Sequence, residues 1–184
     1  MSITSIATFM SAGIIGGVVL QYPLGVYSDR LDRRTVIVWT TIGSILTGAY
    51  LSFGAGTDET ANIIGVFLFG AFSMPLYSLC SAHGNDYAKE GEHALVSAGL
   101  LFYWSVGATV GPLLASLLLE YYGPDVFFIY TSVIFSGFAV FTLRRMGARP
   151  PVPPEERPRR FRALLRTSAY FNKLAAPPDK EDRR

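Results

Sequence analysis

Charged residues interrupt this chain only at intervals. No Asp, Glu, Lys or Arg occurs in residues 1–28, 35–57, 60–85, 93–119 or 126–143, windows of 28, 23, 26, 27 and 18 residues. A helix rises about 1.5 Å per residue, so about 20 mostly apolar residues cross the hydrocarbon core of a bilayer, and runs of about 18 or more qualify as candidates. Five such runs are too many for a soluble core. The pattern predicts an all-α membrane protein whose domain 1–143 is a bundle of five transmembrane helices over about 3–27, 35–55, 61–82, 94–119 and 126–143. A separate basic, Pro-containing tail covers 144–184.

The positions of the charges give an orientation. Five spans divide the connecting segments into two sets. One set holds Arg30, Arg33, Arg34, Lys89 and the tail, and with them all 16 basic residues of the chain. The other holds only acids: Asp58, Glu59, Glu120 and Asp125. Basic loops stay in the cytoplasm, which places the N-terminus outside and the C-terminus inside. Residues 1–28 lack the basic start of a leader peptide and read as a first span.

Composition agrees. Of 184 residues 16% are charged, against about 25% in soluble domains, and mean hydropathy is +0.32. Disordered, collagen-like, disulfide-stapled and most nucleic-acid-binding chains are excluded. The formal charge of +2 is a difference of unlike parts. Residues 1–143 carry 4 basic and 9 acidic side chains, and the tail carries 12 and 5. Lone Cys80 falls inside the third span, where a small buried apolar role outweighs redox or metal chemistry.

Spans one, three and four contain proline as well as glycine: Pro23, Pro75 and Pro112. Proline removes a backbone donor, which lipid tolerates only where protein or water satisfies the freed group. Gly13-x-x-x-Gly17 and Gly107-x-x-x-Gly111 each put two small residues on one helix face. These features nominate the three proline-containing spans as mobile interior helices, with Gly107, Gly111 and Pro112 as a kink and packing segment.

Between the first two spans runs Gly25-Val-Tyr-Ser-Asp29-Arg30-Leu-Asp32-Arg33-Arg34. Gly25 allows a close approach, Asp29 suits a neighbouring helix N-terminus, and Arg30, Arg33 and Arg34 suit carboxylates or lipid phosphates. The spacing resembles G-x-x-x-D-R-x-G-R-R/K, the loop motif found in both halves of the twelve-helix transporters of the major facilitator superfamily. The motif's second glycine is Asp32 here, which predicts left-handed turn geometry at that residue. Gly107-Ala-Thr-Val-Gly111-Pro112 resembles the superfamily's eleventh helix. Pro75 to Asp86, with His83-x-Asn85-Asp86, resembles the end of the tenth helix in the bacterial YcaD-like branch. The resemblance implies that the five spans are helices eight to twelve, an incomplete C-terminal six-helix half. It implies alternating-access transport of an unidentified small solute across a bacterial cytoplasmic (inner) membrane, with the missing N-terminal half as partner. Its helices eight, ten and eleven, which line the path, correspond to the proline-containing spans.

Mid-depth acids, the usual sign of proton coupling, are absent from the five spans. His83, Asn85 and Asp86 have two readings: a gate or protonation switch, or a capped helix end, which is favoured. Gln21, Ser73, Tyr77, Tyr103, Ser105 and Thr109 are the candidate path-lining residues, although bundle-internal hydrogen bonding is the favoured role for each of them. No catalytic residues, metal site, cofactor or nucleic-acid partner is expected, and the partners implied are the bilayer and the solute. Within the tail, Arg149-Pro-Pro-Val-Pro-Pro154 reads as a stiff linker, and Arg159 to Arg166 as a basic amphipathic helix or a disordered segment. The alternative to transport is a non-transporting scaffold or regulatory membrane protein with a lipid-binding basic tail. A membrane enzyme comes last.

Overall fold

The computed structural model describes residues 3–148 apart from 57, 90 and 125. These residues form α1 (Ile3–Arg30), α2 (Arg33–Phe53), α3 (Glu59–Ser73), α4 (Pro75–Asn85), α5 (His93–Tyr122) and α6 (Val126–Ala148). No strand occurs among the described residues. Because α3 and α4 share one span, Glu59–Asn85, five helices are long and apolar enough to cross a membrane.

The helix ends reach further than the charge-free windows. Asp29 and Arg30 ride on the last turn of α1 and Arg33 opens α2, so only Leu31 and Asp32 lie outside helix. Asp32 has φ −65° and ψ 117°, and its carboxylate accepts the Arg34 N–H at 3.0 Å. Left-handed geometry, expected from the motif's glycine, is therefore absent. Extended backbone with a side-chain acceptor is what an N-cap requires, and the aspartate supplies both. Asp58 caps α3 the same way, accepting the Thr60 N–H at 2.9 Å. At the other end of the chain α6 continues through Arg144 and Arg145 to Ala148. The proline linker and the amphipathic segment expected in the tail lie outside the described residues.

Helix α2 is the hub, touching α1, α3, α4 and α6. Val36 and Ile37 pack with Leu76 and Leu79 of α4, and Cys80, Phe135 and Phe138 lean on that cluster. A second cluster joins Leu51 and Ala55 to Val66 of α3, with Phe69 and Phe128 against it. Thr40, Thr41 and Ser44 are fully buried, yet each hydroxyl donates to a carbonyl one turn back, at 2.6, 2.7 and 3.0 Å. No hydroxyl among the three is stranded, which lets a hydroxyl-bearing helix sit in the middle.

The glycines of α1 make a backbone-to-backbone seam with α3. A Cβ added to Gly16 would overlap the Phe67 carbonyl, and one on Gly70 would overlap that of Gly13. On Gly17 it would strike the Met74 thioether. The other small-residue pair behaves differently. Around Gly107 and Gly111 an added Cβ meets nothing within 4 Å, so the packing role expected of them is not filled among the described residues.

Burial among the described residues does not follow the proline-containing spans. The third span is central, but α2 rather than α1 or α5 shares the centre with it. Only Ala115 of α5 is buried, and among the described helices α5 touches just α4 and α6. Proline marks the spans unevenly: α1 and α5 run unbroken through Pro23 and Pro112, whereas the third span is interrupted at Met74–Pro75. Met74 keeps helical dihedrals (φ −67°, ψ −38°) and its N–H still reaches the Gly70 carbonyl at 3.1 Å. The next bond in the ladder, from residue 75 to Ala71, has no donor.

Candidate functional site

The end of α1, the start of α2 and the end of α4 meet at one face of the bundle, and Arg33 ties them together. Its Nε donates to Asp86 Oδ2 at 2.7 Å, its Nη2 pairs with Asp29 Oδ1 at 2.8 Å, and its Nη1 donates to Ser28 Oγ at 3.1 Å. Ser28 in turn donates to the carbonyl of buried Gly25 at 2.8 Å. All three guanidinium nitrogens are thus spent on two helices besides its own. Arg34 makes a fork onto Asp32, Nε to Oδ1 at 3.2 Å and Nη2 to Oδ2 at 3.0 Å. Arg30 stays exposed in the last turn of α1, where a cation suits the helix dipole.

Burial gives this clamp its strength. Arg33 is 6% exposed, and the Asp86 side chain 4%. An arginine does not deprotonate in proteins, so Arg33 keeps its charge and its donors in the clamp. Asp32 has two duties, as cap of α2 and as partner of Arg34. Asp32→Ala is expected to lower stability by about 0.5–2 kcal/mol, while Asp32→Asn keeps the cap and loses only the ion pair. Thermal unfolding of the purified chain in detergent compares the two; equal losses would show that the cap contributes nothing separate.

The cluster proposed as a gate is divided. Asp86 belongs to the Arg33 clamp, Asn85 donates to the Ser81 carbonyl of its own helix at 2.9 Å, and the His83 ring meets Tyr87 edge-on at 5.2 Å. Among the described residues no three His, Cys, Asp or Glu side chains gather to hold a metal.

The candidate path residues lie on the open side formed by α1, α4 and α5. Gln21 donates to Ser78 Oγ at 3.0 Å, bridging α1 and α4. Tyr77 meets Trp104 edge-on at 6.0 Å, bridging α4 and α5. By helical rise, Gln21, Ser78 and Trp104 are about 12–18 Å from the charged ends of their helices, near the middle of a hydrocarbon core of about 30 Å. Tyr103 is exposed and Ser73 half-buried. Ser105 and Thr109 donate to carbonyls one turn back on α5, at 2.8 and 2.9 Å. Pro112 follows Gly111, whose carbonyl accepts the Tyr130 hydroxyl at 3.3 Å, linking α5 to α6. Sequence reasoning missed Ser28 and Ser78, since a lone serine in an apolar helix carries no signal until its partner is placed.

The family model described as Major Facilitator Superfamily matches residues 1–178. The chain belongs to that superfamily. Its curated relatives include an uncharacterised MFS-type transporter of Enterobacter sp. (strain 638), 24% identical over 144 residues. The uncharacterised MFS-type transporter YcaD of Salmonella typhi is 26% identical over 148 residues. Each match takes in 78% of this chain and 35% of the relative, so the chain spans about a third of their length. No solved structure gives a significant match. As a superfamily member the chain is a multi-pass membrane protein, and the loop that resembles the superfamily motif forms the Arg33 clamp just described. Asp32 holds the place of the motif's second glycine and serves there as a helix cap.

Proposed function

We propose that this chain is the C-terminal part of an alternating-access transporter for a small solute, with its five spans as helices eight to twelve. In such transporters two bundles rock about a site near the bilayer midplane. The observation that carries the reading is the mid-depth face where Gln21, Ser78, Tyr77 and Trp104 bridge α1, α4 and α5. Those helices are the three the resemblance assigns to the path. Gln21 and Tyr77 are exposed there, as groups facing a solute would be. The partition of basic residues supports the charged clamp on the cytoplasmic side, and the resemblance to the YcaD-like branch supports a bacterial inner membrane. A fluorescent protein fused after Arg184, of the kind that matures only in the cytoplasm, reports that orientation.

The DNA upstream of the Met1 codon tests the assignment. Seven further apolar spans, in frame or behind a frameshift, are the expected result. Unrelated sequence there would favour a five-span membrane protein that acts through a partner. Purified chain reconstituted alone in vesicles is expected to move no solute, and robust uptake would contradict the partial-transporter reading.

A further inference from the structure

A second constellation sits at the charged end, outside the Arg33 clamp. An open cleft of about 240 Å³ is lined by Arg34 of α2, His83 of α4, Arg145 of α6 and Tyr87 just beyond α4. We propose that this cleft binds a phosphate group, presented by the headgroup of an anionic phospholipid. The proposal stands independently of transport.

The lining is made of hydrogen-bond donors. Two guanidinium groups from different helices face one small volume, with an imidazole and a phenol beside them, and guanidinium geometry matches phosphate oxygens in pairs. Among the described residues no carboxylate lines the cleft. The nearest acids are engaged, Asp32 by Arg34 and Asp29 and Asp86 by Arg33. Arg145 is exposed and forms no ion pair among the described residues, so it is the cation in excess. Two of the donors are held in place: Arg34 by its fork onto Asp32, and His83 by the Tyr87 ring.

Depth and neighbours select a lipid as the source. Arg34 lies in the first turn of α2 and Arg145 in the last turn of α6, the level at which apolar helix meets water. One turn further into the membrane from Arg145, on the same helix face, Phe141 is 61% exposed and offers a surface for an acyl chain. The cleft is smaller than the roughly 300–1,000 Å³ of pockets for drug-sized ligands, which suits a headgroup phosphate.

The test uses the full chain purified in mixed micelles, with retained lipids counted by native mass spectrometry. Phosphatidylglycerol and phosphatidylcholine of the same acyl chains compete, with and without excess inorganic phosphate. Losing any surface arginine weakens attraction to anionic lipid about fivefold, so Arg144→Gln measures that diffuse effect. Arg145→Gln is expected to lower phosphatidylglycerol retention about fivefold beyond the Arg144→Gln value, because a directed contact is lost as well. Equal losses in the two variants, or equal retention of the two lipids by the wild type, overturn the proposal. Inorganic phosphate is expected to leave phosphatidylglycerol bound. Displacement by phosphate, with Arg145-dependent phosphate binding, overturns the lipid as the source.

Discussion

Arg33→Ala is expected to destabilise the chain by about 3–5 kcal/mol, the cost of stripping one partner from a buried ion pair. The substitution leaves Asp86 and Asp29 facing the vacated space as two like charges, one of them almost wholly buried. It also removes the donor to Ser28. Arg33→Lys should fall between wild type and alanine, since a single ammonium cannot reproduce a planar fork that reaches three acceptors. Asp29→Asn should cost less than Arg33→Ala, because the Arg33–Asp86 pair survives. In the double variant Arg33→Ala/Asp86→Ala the loss should be smaller than the sum of the single losses, as no buried charge of that pair is left over. Thermal unfolding in detergent measures all of these together with the Asp86→Ala single. An Arg33→Ala chain within about 0.5 kcal/mol of wild type, the usual effect of a surface change, would reduce the loop to a topology signal.

Glycines of α1 and α5 are expected to respond in opposite directions to the same methyl group. Gly16→Ala should destabilise by about 3 kcal/mol, near the upper end for overpacking, because the obstacle is the Phe67 backbone carbonyl and not a side chain that can rotate away. That loss includes the roughly 0.8–1 kcal/mol by which alanine is the better helix former. Gly107→Ala meets nothing, so it should be neutral or stabilise by up to about 1 kcal/mol. Unfolding midpoints of the two variants decide. A stable Gly16→Ala would show that α1 and α3 are not in backbone contact.

The number of spans was legible because charge-free length alone requires helices in lipid, whatever their packing. Their ends were less so. Asp29, Arg30 and Arg33 read as loop charges, yet the Asp29–Arg33 pair and the helix dipole beside exposed Arg30 allow them to ride on helix. Asp32 shows the same limit: the motif suggested a glycine-like turn, whereas an aspartate before Arg33-Arg34-Thr35 also satisfies the simpler demand of an N-cap. Small-residue spacing identified the α1 seam and equally the open face of α5, since spacing says which side of a helix is small and nothing about what lies opposite. The candidate site divides along the same line. The clamp's arginine and Asp29 were visible in the motif, but Asp86 joined them only once α4 was placed. Arg145 and Tyr87, in different segments, had no pattern to connect them to His83.

The missing backbone bond at Pro75 gives the third span a mechanical character. Its first half is fixed to α1 through Gly16 and Gly70, while its second half carries Tyr77, Ser78 and, at its far end, Asp86. That second half is a lever arm of about 16 Å. A swing of about 10° at Pro75 displaces the far end by about 3 Å, comparable with the length of the Arg33–Asp86 contact it would have to break. A small angular change beside the mid-depth face would therefore be large enough at the charged end to part Arg33 from Asp86.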